Sequence, residues 1–223
     1  DVHDIPVVAV VDPDMMASMP AGLTAATGMD ALTHAVEAYT NRFCSPKARR
    51  YALHAVKLIY ENLEAVYADG SNMEARQNMQ LAAFYAGRAF SRGSVGYVHA
   101  IGHALGGLYG TPHGVAMASL LPLVMKQYGK AAHLRLAELY DAAGMKGTAH
   151  TTEEKANAFI AWMEDMKVCM QIPMYPPTLE QKDIDEIAER AYKEGNPLYP
   201  TPVTWNKEDF KAFLQDIYQK KSE

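Results

Sequence analysis

The length, composition and charge of this chain exclude several classes of protein before any motif is considered. Its 223 residues, of which 49% are hydrophobic and 21% are charged, can bury a sizeable core in one large domain or two small ones. The formal net charge of −5 and the lack of a basic stripe argue against binding to nucleic acid or to an anionic membrane. No apolar run approaches the roughly 20 residues of a membrane-spanning helix. We therefore expect a soluble, globular protein whose partner is a small molecule or another protein.

The first part of the chain contains one strand-like run, "IPVVAVV", at residues 5–11. A single strand leaves half of its backbone polar groups without partners, so it needs a neighbouring strand. We interpret the run as the last strand of a domain encoded upstream. On this interpretation residues 1–21 are a remnant strand and linker, and residues 22–223 form a separate domain.

Almost everything after residue 22 has the periodicity of α-helices, and several helix ends are marked by their capping residues. Ser45 and Pro46 start a long helix that ends near Gly70, and the pair Thr151 and Glu154 has the spacing of a capping box. Proline-rich stretches predict loops over residues 171–177 and 195–204. The predicted fold class is therefore all-α. The predicted helices cover residues 27–41, 46–69, 73–91, 95–109, 112–128 with a kink at Pro122, 131–143, 152–170, 179–194 behind Thr178, and 207–220 behind Asn206.

Several polar residues stand inside these apolar helical segments at a spacing that suggests a shared task. In "GMDALTHAVEAY", Asp30 and His34 are four residues apart and project from one helix face. His99 and His103 repeat the spacing in "YVHAIGHALGG", and His113 lies in the first turn of the next helix. A transition-metal site needs three or four nitrogen and oxygen donors that converge. Asp30, His34, His99 and His113 supply one carboxylate and three imidazoles.

Spacing alone leaves two interpretations of these residues open. An Asp and a His four apart on a helix are more often a local hydrogen-bonded pair in a core than metal ligands. Two such pairs and a further histidine, all flanked by Ala, Gly and Leu, favour the metal site more strongly than one pair does. The two cysteines, Cys44 and Cys169, lack CxxC spacing and are expected to be ordinary thiols. Together with the lack of a recognisable signal peptide, they favour the cytoplasm.

Four stretches of the chain resemble, in order, signature stretches of the iron-containing (group III) alcohol dehydrogenases. They are "DPDMMASMP", "AATGMDALTHAVEAY", "GYVHAIGHALGGLYGTPHGVA" and "EGNPLYP", and the resemblance covers essentially the whole chain. It implies the C-terminal domain of that family, which is an all-helical, dehydroquinate synthase-like domain. The N-terminal domain of the family is an α/β domain that binds the nucleotide cofactor, so the resemblance places the main cofactor-binding residues upstream of this sequence.

The resemblance also assigns roles to particular residues. Asp30, His34, His99 and His113 match the metal ligands of the family. Three neutral imidazoles and a carboxylate suit Fe(II), the metal that the resemblance implies, although Zn(II) and Mn(II) fit the same donors and affinity alone favours zinc over iron. His103 matches a further family histidine that assists proton movement.

The reaction implied by the resemblance is the oxidation of a small primary alcohol to an aldehyde, with hydride transfer to NAD or NADP. Phe90, in "GRAFSRGS", matches an aromatic position that lines the substrate cavity. Family members usually form homo-oligomers, commonly dimers. If the chain ends where this sequence does, we expect it to bind metal but to hold NAD(P) poorly and to show little dehydrogenase activity.

Two other functions are compatible with the sequence. The first is that of the related glycerol dehydrogenases and dehydroquinate synthases, which share the two-domain plan and a metal-centred helical domain. "GMDALTHAVEAY" and "TPHGVA" resemble the iron-containing alcohol dehydrogenases more closely. The second is a metal-binding helical module without catalysis. A panel of substrates distinguishes the first alternative from an alcohol dehydrogenase. A metal-occupied site without turnover would favour the second alternative.

Overall fold

The computed structural model describes residues 6–222 of the chain, and its regular structure there is helical. This confirms the all-α prediction. None of the helices in these residues combines the length and apolarity needed to cross a membrane. Besides two short 3-10 turns at Pro13–Met16 and Gln181–Asp183, the elements are α1 (Ala21–Thr40), α2 (Pro46–Ala68), α3 (Met73–Gly93), α4 (Tyr97–Tyr109), α5 (His113–Tyr128), α6 (Lys130–Ala143), α7 (Thr152–Cys169), α8 (Ile184–Gly195) and α9 (Lys207–Ser222).

The helix ends follow the predicted capping residues in several places. Ser45 precedes α2 and its Oγ accepts a hydrogen bond from the backbone N–H of Ala48 at 3.2 Å. Pro46, whose missing N–H costs nothing at this position, is the first residue of the helix. The capping box at the start of α7 is confirmed, with Thr151 and Glu154 each accepting a hydrogen bond from the other's backbone.

The start of α8 differs from the prediction. Thr178 was expected to cap a helix over residues 179–194, but α8 begins at Ile184 after the 3-10 turn Gln181–Asp183. The hydroxyl of Thr178 instead lies 2.5 Å from the hydroxyl of Thr111, which precedes α5. The Thr178 hydroxyl, which would have capped the helix, is therefore used in a contact with a distant part of the chain.

Helix α1 occupies the centre of the fold and packs against α2, α3, α5 and α6. It begins at Ala21, earlier than the predicted residue 27, directly after Pro20. A helix surrounded by other helices is apolar on all sides, and most of α1 is buried. Helix α4 packs on α5 and α8, and Gly102 permits the close approach to α5 because a Cβ there would overlap the Met117 side chain. The starts of α4 and α5 thereby reach the middle of α1.

The N-terminal segment is not a strand in the part of the chain that the structure describes. Residues 6–11 form no regular element, and Val7, Val8 and Val10 are largely exposed to solvent. The strand predicted over residues 5–11 therefore stays a prediction, and residue 5 lies outside the described range. A strand needs a partner strand for its backbone hydrogen bonds, and residues 6–222 contain none that could pair with this run.

Candidate metal centre

The candidate site begins on the central helix α1. Asp30 and His34 lie one turn apart on the same face of the helix, and His34 Nδ1 is 3.9 Å from Asp30 Oδ2. Both side chains are about one fifth exposed. The i,i+4 spacing thus presents a carboxylate and an imidazole on the same side of α1, as the sequence predicts.

Helices α4 and α5 each add one imidazole to this pair. His99, in the first turn of α4, has its Nε2 4.0 Å from Asp30 Oδ1. His113, the first residue of α5, has its Nε2 3.3 Å from the same oxygen. One nitrogen or oxygen atom from each of Asp30, His34, His99 and His113 lies within 4.8 Å of the corresponding atoms of the others.

Two atoms of this cluster have unsatisfied hydrogen-bonding capacity. Asp30 Oδ1 and His99 Nε2 are both buried, and neither has a hydrogen-bond partner with acceptable geometry among the described residues. An unpaired buried polar atom costs roughly 1–3 kcal/mol unless something satisfies it. Both atoms are of the kind that coordinate transition metals. The residues present therefore fit a divalent metal ion.

Two of these side chains, Asp30 and His34, have shifted pKa values that favour metal binding. Burial lowers the pKa of His34 to about 4, although the charge of Asp30 opposes the shift. Burial alone would raise the pKa of Asp30, but the contact with His113 and the charges of the surrounding histidines lower it overall. At neutral pH the carboxylate is ionised and His34 is neutral. This is the protonation state in which carboxylate and imidazole bind a metal.

The sequence of this chain matches the profile of one known protein family. The profile of the Fe-containing alcohol dehydrogenase family, C-terminal region, matches residues 24–218. The chain belongs to this family. The predicted dehydroquinate synthase-like helical fold is confirmed with it.

Individual members of the iron-containing alcohol dehydrogenase family are similar along most of this chain. The 1,3-propanediol dehydrogenase of Klebsiella pneumoniae is 40% identical over 218 residues, which are 97% of this chain and 56% of that protein. Alcohol dehydrogenase 4 of Schizosaccharomyces pombe is 38% identical, over 90% of this chain and 48% of that protein. The structure of an alcohol dehydrogenase from Oenococcus oeni has a TM-score of 0.89 and 38% identity, covering 96% of this chain and 56% of that one. The chain thus spans about half the length of the curated relatives it matches.

The two other residues that the family resemblance singled out border the cluster. The ring of Phe90, on α3, stacks on the ring of His34 with 4.4 Å between centroids. The ring of His103, one turn after His99, stacks on His113 at 5.3 Å, but His103 is not one of the four clustered residues. The structure therefore brings all six predicted site residues into one neighbourhood, with His103 and Phe90 at its edges.

Two carboxylates that the sequence analysis missed hold histidines of this site. Glu37 Oε2 lies 2.5 Å from His99 Nδ1, and Glu194 Oε1 lies 2.7 Å from His103 Nδ1. The hydrogen bond to Glu194 raises the pKa of His103, against the effect of burial. Glu194 Oε1 also accepts a hydrogen bond from the Tyr199 hydroxyl at 2.6 Å. Glu37 could have been found from the sequence, because it lies seven residues after Asp30 on the same face of an apolar helix.

Proposed function

We propose that this chain contributes the metal- and substrate-binding domain of an NAD(P)-dependent alcohol dehydrogenase that interconverts small primary alcohols and aldehydes. The observation that carries the proposal is the convergence of Asp30, His34, His99 and His113 within 4.8 Å. Membership of the iron-containing alcohol dehydrogenase family supports the same activity. So do relatives named for the dehydrogenation of propanediol and butanol.

Asp30, His34, His99 and His113 are the proposed metal ligands. One carboxylate oxygen and three imidazole nitrogens suit Fe(II), and Zn(II) is the alternative that the same donors accept. The family's description favours iron. When held by these residues, a divalent ion would supply Lewis-acid chemistry for the oxygen of an alcohol or aldehyde.

Residues beside the ligands would shape the substrate site and move the proton. Phe90 stacks on His34 and offers an apolar wall next to the ligands, which suits the carbon chain of a small alcohol. His103 is 43% exposed and reaches both the ligand cluster and solvent. With Nδ1 hydrogen-bonded to Glu194, its Nε2 is free to accept the hydroxyl proton of the alcohol and to pass it to water.

Binding of the nicotinamide cofactor and the oligomeric state are properties of the whole protein. Because the matched relatives are about twice as long as this chain, we propose that a nucleotide-binding domain precedes residue 22 and that residues 1–21 belong to its last strand and the linker. We also propose a homodimer, as the family resemblance implies. Free thiols at Cys44 and Cys169 suit the reducing cytoplasm, which we propose as the compartment.

Metal analysis of single-histidine variants tests the proposed ligands. We expect near-stoichiometric iron or zinc in anaerobically purified protein, and its loss in His34→Ala and His113→Ala. His54→Ala is the matched control, because His54 is an exposed histidine on α2 outside the cluster. Wild-type protein that remains metal-free after incubation with Fe(II) or Zn(II) would contradict the proposal.

A substrate panel tests the reaction. We expect turnover of short primary alcohols with NAD⁺ or NADP⁺, and reduction of the matching aldehydes. A strong preference for glycerol would support a glycerol dehydrogenase-like enzyme instead. A metal-loaded protein that turns over no substrate when the cofactor-binding domain is present would support a non-catalytic metal-binding module.

A further inference from the structure

Glu37 is a buried carboxylate in the middle of α1 that has no role in the function proposed so far. Its side chain is 1% exposed, and its only hydrogen-bonded side-chain partner among the described residues is His99. No lysine or arginine of that part of the chain forms an ion pair with it. A buried charge without compensating partners is strongly unfavourable. The two contacts that the carboxylate makes must therefore account for its presence.

The first contact fixes the tautomer of His99. A carboxylate oxygen accepts hydrogen bonds, so the 2.5 Å contact between Glu37 Oε2 and His99 Nδ1 favours the tautomer with the ring proton on Nδ1. The lone pair is then on Nε2, which is buried, lacks a hydrogen-bond partner and lies 4.0 Å from Asp30 Oδ1. Glu37 thus turns the free nitrogen of His99 toward the other candidate ligands.

The second contact fixes the helix that carries His99. Glu37 Oε1 accepts a hydrogen bond from the backbone N–H of Val98 at 2.8 Å. This N–H belongs to the first turn of α4, where it has no partner within the helix, and the N-cap residue Gly96 has no side chain to supply one. A Cβ at Gly96 would lie only 2.8 Å from Glu37 Oε1. A glycine is therefore needed for the carboxylate to approach the start of the helix.

We propose that Glu37 is the positioning residue of the metal centre. It clamps the start of α4 onto α1 and holds His99 in the one tautomer that binds a metal through Nε2. Carboxylates in this position also make the ligating imidazole more basic, and their loss typically weakens metal binding about 10- to 100-fold. The proposal rests on the proposed metal-binding function of Asp30, His34, His99 and His113.

The substitution Glu37→Gln tests the role because it keeps the size of the side chain and removes one acceptor. A glutamine has one amide oxygen, so it can accept from Val98 or from His99 but not from both. If the oxygen stays with Val98, the amide NH₂ faces His99 Nδ1 and favours the tautomer protonated at Nε2. We expect Zn(II) to bind Glu37→Gln about 10- to 100-fold more weakly than wild type in a competition titration with a chromophoric chelator.

The tautomer of His99 supplies a readout that a merely structural role would not move. Long-range ¹H–¹⁵N correlation spectra of the metal-free protein should report a proton on Nδ1 of His99 in wild type and on Nε2 in Glu37→Gln. The matched control is Glu194→Gln, which changes the carboxylate on Nδ1 of His103, outside the four ligands. The control should leave both the Zn(II) affinity and the His99 tautomer unchanged.

The outcomes separate the two proposals. Equal Zn(II) affinity and an unchanged His99 tautomer in Glu37→Gln would overturn the role of Glu37 while leaving the metal site in place. A wild-type protein that binds no Zn(II) would overturn the metal site itself. If circular dichroism indicates that Glu37→Gln is unfolded, the wild-type spectrum decides: a proton on Nδ1 of His99 supports the role, and a proton on Nε2 overturns it.

Discussion

Two histidines one turn apart on α4 are held in the same way and end in different surroundings. Both His99 and His103 have a glutamate at Nδ1, at 2.5 Å and 2.7 Å respectively. The first pair is almost completely buried, with 3% and 1% of the side chains exposed, whereas the second is 43% and 31% exposed. The same local pairing therefore fixes a proposed ligand inside the fold and leaves a proposed proton carrier in contact with water. Burial rather than pairing distinguishes these two histidines.

The largest expected difference between the two pairs is in stability. Glu37→Ala should lower the free energy of unfolding by about 3 kcal/mol, because it leaves His99 Nδ1 and the Val98 N–H buried without partners. Glu194→Ala should cost about 1 kcal/mol or less, since solvent replaces the lost contact. Urea unfolding in the presence of a metal chelator measures both. Similar losses in the two variants would mean that burial does not separate the pairs.

The next largest effect is the stabilisation by metal. Zn(II) at about 100 times its Kd should stabilise the wild type by about 2.7 kcal/mol, which for a chain of this size raises Tm by about 5–10 °C. His99→Gln should abolish this rise and His103→Gln should retain it, because His99 belongs to the ligand cluster and His103 does not. Thermal unfolding with and without Zn(II) measures the rise. A rise that survives in His99→Gln would remove His99 from the ligand set.

Lys167 extends the comparison to a buried cation. Its side chain is fully buried, and its Nζ donates to the backbone carbonyls of Met174 and Ser119 at 2.7 Å and 3.3 Å. Burial lowers its pKa from 10.5 to about 8. Between these two values the unfolded chain binds more protons than the folded one, so stability rises with pH in this window.

The pH dependence is measured relative to a variant that cannot titrate at this position. From pH 8 to pH 10.5 the wild type should gain on the order of 2 kcal/mol relative to Lys167→Met. Using the difference between the two proteins cancels the titration of tyrosines and thiols. A difference that stays constant from pH 7 to pH 10.5 would contradict the lowered pKa.

The smallest expected effect concerns the more exposed pair, His103 and Glu194. Tyr199→Phe removes the hydrogen bond to Glu194 and should destabilise the protein by about 1 kcal/mol or less. Tyr192→Phe, on an exposed tyrosine of α8, is the control and should have no effect. Chemical unfolding measures both variants. If Tyr199→Phe lowers the free energy of unfolding as much as Glu37→Ala does, the hydrogen bonds of the exposed pair contribute as much to stability as those of the buried pair.

Spacing within one helix predicts part of the site, and the family resemblance predicts that His99 and His113 join it. Asp30 and His34 share a face because they are four residues apart, and Thr151 and Glu154 form their capping box because both belong to one turn. The sequence does not encode the partners of Glu37 and Glu194 in the same direct way. Glu37 meets a histidine 62 positions along the chain, and Glu194 meets one 91 positions away.

The wrong prediction at the start of α8 comes from a long-range effect, and the predicted strand at residues 5–11 depends on one. Thr178 has the composition of a helix cap, but its hydroxyl contacts Thr111, which lies 67 positions away. The run at residues 5–11 has the composition of a strand, yet composition cannot supply the neighbouring strand. Local signals predict which element a segment prefers. The elements packed beside it decide whether that preference is realised.

The order of the site residues along the chain has a consequence for biosynthesis. All four proposed ligands are contained in residues 30–113, whereas the support for His103 comes from α8 and the loop that follows it. All four proposed ligands therefore emerge from the ribosome well before Glu194 has been synthesised. Until then the face of α4 that packs on α8 stays uncovered. The proposed ligands are therefore synthesised before the residues that support His103.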